Sequence, residues 1–231
     1  MRLNKFISST GFCSRREADE LIKQEKVRVN GNIEILGCVV GPDDKVEVNG
    51  KELHRKNNNV YIALNKPVGI TCTTERHIKG NIIDFVNHPE RIFPIGRLDK
   101  DSEGLILLTN DGRITDRLLN PKYEHDKEYV VKSRDFIKES QLKAMEKGMS
   151  LEGIDTAPCK TKVLGEKSFA ITISEGQKHQ IRRMCDALTM PIDTLKRVRI
   201  MNIMLGKLEP NEYRKIEGEE LKKFLTSLSL A

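Results

Sequence analysis

Two Val-x-Val-Asn-Gly segments near the start of the chain constrain its fold more than any other feature. They occupy Val27–Gly31 and Val46–Gly50. Alternating valines favour a strand with one buried face, and Asn-Gly favours the tight turn of a hairpin. Two helical patterns precede these strands, and the second begins at a capping box formed by Ser14 and Glu17. The N-terminal segment is therefore predicted to be a small α+β module of two helices and a short sheet.

A polar stretch separates this module from the rest of the chain. Its letters are KELHRKNNN, at residues 51–59. Because the stretch is short of apolar residues, it is predicted to be a linker. The predicted organisation is thus a small module at 1–50, a linker at 51–59 and a larger domain at 60–231.

The larger domain is rich in runs that are typical of strands. These runs are Val60–Leu64, Gly104–Thr109, Glu128–Lys132 and Phe169–Ser174. Helical patterns occur at Ile137–Lys147, Gln180–Leu188 and Glu219–Leu228. Because helices and strands do not alternate regularly, the pattern favours an α+β fold, with a mixed, mainly antiparallel sheet flanked by helices.

The balance of charge indicates the kind of partner. The 231 residues include 40 Lys and Arg against 34 Asp and Glu, a formal charge of +6, which favours a polyanionic partner. Basic residues of the N-terminal module lie near helix ends and a turn, where they are predicted to converge on phosphates. This basic set is Arg2, Lys5, Arg15, Arg16, Lys26 and Arg28. From charge alone, an ordinary solvated helix surface explains them equally well.

The spacing of the cysteines and the length of the apolar runs argue against a local metal-binding motif, a signal peptide and a membrane-spanning helix. The five cysteines contain no C-x-x-C pair, so there is no local metal-binding motif, and the odd count fits a reducing cytoplasm. The first residues lack the apolar stretch of a signal peptide. No apolar run reaches the roughly 18 residues that a membrane-spanning helix needs. We expect a cytoplasmic protein that binds neither a membrane nor a metal.

The stretch most informative about chemistry is FPIGRLDKDSEGLILLTNDG, at residues 93–112. A polar loop with Arg97, Asp99, Asp101 and Glu103 precedes an apolar strand, and such loops commonly hold reactive groups. A solvated acidic loop is the plain alternative. A calcium loop is disfavoured, because its twelfth position is Asn110 where a bidentate Glu is needed.

Five motifs, in order along the chain, resemble one enzyme family. GRLDKDSEGLILLTNDG at 96–112 is similar to the signature of the RsuA/RluB/RluE/RluF family of ribosomal RNA pseudouridine synthases. The other four are ALNKPVG at 63–69, KEY at 127–129, EGQKHQIRRM at 175–184 and LKRVRI at 195–200. The N-terminal module resembles the small RNA-binding domain of a small-subunit ribosomal protein, S4. DFVNH at 84–88 and RIMN at 199–202 are most similar to the RluF branch.

The resemblance implies roles for three residues, and neither a cofactor nor a metal. Asp99 matches the catalytic aspartate, which acts as nucleophile at C1′ or C6 or first helps to remove a sugar proton. Arg97 is implied to enter the RNA helix as the target base is flipped out; an ion pair with Asp101 is the alternative. Tyr129 is implied to stack on the uracil, and its hydroxyl to act as a base; a Tyr in a strand is otherwise usually core.

Two residues of the helical motif are implied to support this site. Helical spacing places Ile181 on a buried face with Met184, Cys185 and Leu188, and Arg182 beside that face. By resemblance, Arg182 pairs with Asp99 and keeps the carboxylate ionised and oriented. By the same resemblance, Ile181 packs beneath Tyr129.

The leading hypothesis is a monomeric RNA pseudouridine synthase that acts on a stem-loop of large-subunit ribosomal RNA. The same chemistry on a tRNA anticodon stem-loop stays open. A non-catalytic RNA-binding factor of ribosome assembly is the alternative from another class. Against it, Arg97, Asp99, Tyr129 and Arg182 are present together.

Overall fold

The computed structural model describes residues 1–55 and 58–230. These residues form two compact units. The first contains Met1–Val60 together with the short segments Pro89–Arg91 and Asn110–Gly112, and the second contains the remainder.

The first unit has the two helices and the short sheet predicted for it. Its elements are α1 (Leu3–Ser9), α2 (Arg15–Lys23), β1 (Val27–Val29), β2 (Asn32–Ile33), β3 (Val46–Val48) and β4 (Lys51–Glu52). The capping box at Ser14 and Glu17 is formed. In both Asn-Gly pairs the two residues have positive φ, as a hairpin turn of the mirror-image type requires. These turns join β1 to β2 and β3 to β4 in an antiparallel sheet of order β2-β1-β3-β4.

The predicted linker begins too early. Lys51 and Glu52 form β4, which pairs with β3, and Leu53 is buried in the core of the first unit. A two-residue edge strand of charged residues has no apolar alternation, which is why the sequence pattern missed it. Lys56 and Asn57, also within the predicted linker, lie outside the described residues.

The second unit contains one large sheet and a separate two-stranded sheet. Its strands are β5 (Tyr61–Lys66), β6 (Phe93–Ile95), β7 (Glu103–Thr109), β8 (Lys127–Ser133), β9 (Ser150–Leu151), β10 (Ile154–Asp155), β11 (Lys160–Gly165), β12 (Ser168–Ile173), β13 (Ile192–Ile200), β14 (Ile203–Met204) and β15 (Tyr213–Lys215). Its helices are α3 (Ile82–Val86), α4 (Ile114–Leu119), α5 (Glu139–Glu146), α6 (Gln180–Ala187) and α7 (Gly218–Ser227), with a 3₁₀ turn at Pro121–Tyr123.

The sheet has the order β11-β12-β8-β13-β7-β5-β15, with β6 paired to β7 and β14 paired to β13. Among the described residues, the parallel contact in this sheet is that between β13 and β7, and the other pairings are antiparallel. The α+β fold with a mixed, mainly antiparallel sheet is therefore confirmed. Apolar side chains of β7, β13 and α7 share one core, with Leu107, Ile200 and Phe224 buried in it.

Glycine at position 104 permits the parallel contact. Gly104 has a φ of +104°, and a Cβ at this position would overlap the carbonyl oxygen of Arg197 on β13. A residue with a side chain would therefore meet both backbone strain and a backbone clash. The contact places β13 directly beside the start of β7, and so beside the polar loop that precedes it.

No helix in the described ranges is long and apolar enough to cross a membrane.

Candidate active site

The loop between β6 and β7 presents Asp99 from a fixed backbone. The Sγ of Cys72 lies 3.2 Å from the carbonyl oxygen of Leu98 and 3.4 Å from its amide nitrogen, and Leu98 itself is buried. The amide of Gly69 donates to the carbonyl of Lys100 at 2.8 Å, and the amide of Ser102 donates to the carbonyl of Asp99 at 3.1 Å. These contacts fix the loop backbone on both sides of Asp99. The side chain of Asp99 is 36% exposed.

Asp99 faces a cleft of about 750 Å³. Among the residues that line this cleft are Arg97, Tyr129, His179 and Ile181. The Oδ1 of Asp99 lies 3.4 Å from the Nε2 of His179. Residues from three distant parts of the chain therefore line one cleft, which has a volume typical of small-ligand sites.

Tyr129 is held on the sheet by a buried arginine. It lies on β8, is 9% exposed, and pairs in register with Arg197 of β13. The Nη1 of Arg197 is 3.4 Å from the hydroxyl oxygen of Tyr129, and its Cζ is 5.9 Å from the ring centroid. The tyrosine ring is thus fixed by packing, by a hydrogen bond and by a cation–π contact.

Arg197 is the main residue of the site that the sequence analysis missed. It is 4% exposed, and its Nε donates to the carbonyl of Leu105 at 2.7 Å. Its Nη1 is also 3.5 Å from the carbonyl of Arg97, while its Nη2 is buried and has no hydrogen-bond partner among the described residues. The alternation of the strand could have indicated its burial. Arg197 occupies an inward position two residues after the buried Leu195, where an apolar residue is expected.

Two further cations, the buried Lys66 and the half-buried Lys127, add positive charge near the site. The Nζ of Lys66, fully buried on β5, donates to the carbonyls of Pro67 and Ile70 at 2.9 and 3.0 Å. Burial lowers the pKa of Lys66 and the charge of Arg197 lowers it further, while the nearby acidic groups, Asp99 among them, oppose this. Burial likewise lowers the pKa of Lys127, and Arg197 adds to the effect. The positive charge of these groups favours an anionic ligand in the cleft.

Comparison with known proteins decides the family. A model of the RNA pseudouridylate synthase family matches residues 60–187, and an S4 domain model matches residues 1–34. The chain belongs to the RNA pseudouridine synthase family. It is an enzyme with a pseudouridine synthase fold, and its N-terminal unit carries an RNA-binding S4 domain.

Individual relatives match nearly the whole synthase. It is 46% identical to the dual-specificity RNA pseudouridine synthase RluF of Escherichia coli, over 96% of this chain and 77% of that protein. It is 40% identical to the ribosomal large subunit pseudouridine synthase B of Bacillus subtilis, over 96% and 94% of the two chains. A crystal structure of a pseudouridylate synthase superposes with a TM-score of 0.71 at 32% identity, over 99% of both chains.

The ion pair predicted between Arg182 and Asp99 is not formed among the described residues. The Nη2 of Arg182 donates instead to the carbonyl of Asp101 at 2.8 Å and to the hydroxyl of Ser102 at 3.0 Å. Its Nε is buried and has no hydrogen-bond partner in the part of the chain that the structure describes. Arg182 thereby ties down the end of the loop, whereas His179 lies beside the carboxylate. His179 directly precedes α6 and Arg182 lies on the first turn of that helix, so both side chains come from the same end of α6.

Arg97 and Ile181 both line the cleft that Asp99 faces. Arg97 is exposed, and its side chain makes no hydrogen bond or ion pair within residues 1–55 and 58–230 of the synthase, so the alternative pairing with Asp101 is not observed. Ile181 is 4% exposed and lines the same cleft as Tyr129. Base flipping by Arg97 and packing of Ile181 beneath Tyr129 stay predictions.

The basic residues predicted in the first unit are all exposed on α1, α2 and β1, or directly before them. They are Arg2, Lys5, Arg15, Arg16, Lys26 and Arg28. The Nη1 of Arg28 donates to the carbonyl of Gly31 at 2.8 Å. Their contact with phosphates stays a prediction.

A calcium site in the loop of the synthase is not supported by the fold. Glu103–Thr109 is strand β7, whereas a calcium loop of the helix–loop–helix type continues into a helix. Within the described part of the chain there is no group of three or more His, Cys, Asp and Glu side chains that could hold a metal ion.

Proposed function

We propose that Asp99 is the catalytic residue of this synthase and that its target is a uridine in a stem-loop of large-subunit ribosomal RNA. The observation that carries the proposal is the convergence of the Asp99 carboxylate, the Tyr129 ring and the Arg97 side chain on one cleft. A uridine inside an RNA helix can reach this carboxylate only if it is flipped out of the stack. An exposed Arg beside the cleft suits the space that the base leaves.

The chemistry breaks the C1′–N1 bond of uridine and forms a C1′–C5 bond. The carboxylate of Asp99 attacks C1′ or C6, or first helps to remove a sugar proton. The uracil then turns so that C5 faces C1′, the proton on C5 leaves, and N1 gains a proton. Atoms and electrons balance without an oxidant. When the glycosidic bond breaks first, the uracil leaves as an anion, which the charges of Lys127 and Arg197 in the cleft lining stabilise.

The choice of ribosomal RNA rests on resemblance to relatives. The similar protein of Bacillus subtilis is named for the large ribosomal subunit. The similar protein of Escherichia coli is named as dual-specificity, which supports a second RNA substrate here, with a tRNA anticodon stem-loop as the candidate. We further propose that the enzyme is monomeric and acts in the cytoplasm.

Pseudouridine mapping in cells with and without the gene tests the target. We expect deletion to remove pseudouridine from a stem-loop of large-subunit RNA, and the gene on a plasmid to restore it. A plasmid carrying Asp99→Asn should fail to restore it. Loss of pseudouridine in small-subunit RNA alone would contradict the proposed target, while loss in tRNA as well would establish the second substrate.

We propose that the exposed basic residues of the first unit bind phosphates of the RNA. Replacing Arg2, Lys5, Arg15, Arg16 and Arg28 together by Ala should weaken RNA binding. It should also flatten the dependence of log affinity on log salt, by about 0.7–0.9 for each phosphate contact that is lost. The measurement is a salt titration of RNA binding by fluorescence anisotropy.

The matched control uses exposed lysines of the second unit. Lys222 and Lys223 lie exposed on α7, and their replacement by Ala should leave the salt slope as it is. An unchanged slope in the first-unit variant would show that these residues do not bind phosphates.

A further inference from the structure

We propose that His179 is the positioning residue of Asp99, holding the carboxylate in its reactive orientation through its Nε2 atom. This inference rests on the proposed assignment of Asp99 as the catalytic residue. The Nε2 of His179 lies 3.4 Å from the Oδ1 of Asp99. This distance is slightly long for a hydrogen bond, and such contacts often tighten once substrate fills a site.

His179 is the side chain that reaches this carboxylate. Within the described ranges the Asp99 side chain makes no other ion pair or hydrogen bond. Arg182 is occupied by the carbonyl of Asp101 and the hydroxyl of Ser102, and Lys66 by two carbonyls. The two residues of the helical motif thus have separate tasks, because Arg182 fixes the loop and His179 fixes its carboxylate.

The backbone at His179 directs the imidazole into the cleft. His179 precedes α6 in the left-handed conformation, with φ 52° and ψ 28°, which few residues other than Gly adopt readily. Gln180, which is 3% exposed, stabilises this turn. The side chain of Gln180 accepts from the amide of Gln177 at 3.0 Å and donates to Glu175 at 2.5 Å. The imidazole therefore projects from a fixed turn, as a positioning group requires.

A bound RNA phosphate is the competing role for His179, because its side chain is 50% exposed. The two roles affect different kinetic constants. A phosphate contact contributes to RNA binding and acts on KM, whereas orientation of the carboxylate acts on the chemical step and so on kcat.

Two substitutions separate the contact with Asp99 from the shape of the turn. In His179→Gln the amide nitrogen can replace the imidazole Nε2 as donor, and in His179→Leu no donor remains. Both bear a similar backbone penalty in the left-handed conformation. We expect kcat to fall about 10- to 100-fold in His179→Leu, to stay within about 3-fold of wild type in His179→Gln, and KM for RNA to be unchanged in both.

The control is a histidine–carboxylate pair outside the cleft. The Nε2 of His77 lies 3.5 Å from the Oε2 of Glu75, and both side chains are largely exposed. His77→Leu should have wild-type kcat. If His179→Leu does not fold, by circular dichroism, His179→Gly takes its place, because Gly adopts the left-handed conformation without strain and should show the same loss of kcat.

Several results would overturn the proposal. Wild-type kcat in His179→Leu would do so, as would an equal loss in the Leu and Gln variants, or a rise in KM alone. Asp99→Asn, assayed beside them, separates this inference from the assignment on which it rests. If Asp99→Asn is inactive and His179→Leu is normal, the role of His179 alone fails. If Asp99→Asn keeps its turnover, both assignments fail.

Discussion

Replacing Asp99 by Asn should abolish detectable pseudouridine formation while leaving the fold and RNA binding intact. The substitution keeps the size of the side chain but removes its negative charge and most of its nucleophilicity. The loop backbone is held by Cys72, Gly69 and Ser102, none of which contacts the carboxylate, so the loop should keep its position. The measurement is pseudouridine formed per enzyme at saturating RNA, with circular dichroism as the test of folding.

Asp101 provides the matched control two residues away. Its carbonyl oxygen accepts from Arg182, and a backbone carbonyl is unchanged by substitution of the side chain. Asp101→Asn should therefore keep most of the activity. An equal collapse in both variants would contradict the assignment and would point to a shared acidic cluster.

Replacing Arg197 by Met should damage both stability and turnover. The change leaves the carbonyls of Leu105 and Arg97 without their donor and removes the hydrogen bond to Tyr129. We expect the free energy of unfolding to fall by about 3 kcal/mol. We expect kcat to fall about 10²-fold, because Tyr129 and the loop that carries Arg97 would both lose their hydrogen bond to Arg197. Denaturant unfolding and single-turnover kinetics measure the two effects.

Arg199 is the control on the same strand. Its Nε is 2.8 Å from the Oε2 of Glu128, with both side chains partly exposed, so Arg199→Met should cost about 1 kcal/mol or less and should spare kcat. Similar losses of stability and kcat in the two variants would show that Arg197 has no special role in the site.

The sequence predicted those parts of the fold whose patterns are local. The Asn-Gly turns, the capping box at Ser14 and the strand that became β7 follow from residues near one another in the chain. The sequence predicts a linker where the charged edge strand β4 forms, because pairing with β3 is a tertiary contact that its own residues do not signal.

The sequence predicted which residues form the candidate site better than it predicted the contacts between them. The motifs named Arg97, Asp99, Tyr129 and Ile181, and the structure brings all four to one cleft. The motifs did not show which cationic side chain reaches Asp99, because that depends on the left-handed turn at His179. Arg197 was missed because an Arg in a strand is usually exposed, and its burial follows from the close approach of β13 to Gly104.

Tritium release tests the central claim most directly. The purified protein is incubated with a large-subunit ribosomal RNA transcript that carries tritium at C5 of uridine, and both the released tritium and the pseudouridine formed are measured. We expect the wild-type protein to release tritium in step with pseudouridine, and Asp99→Asn, at equal RNA binding, to release none. Equal release by wild type and Asp99→Asn, or RNA binding by the wild type without any release, would contradict catalysis by Asp99.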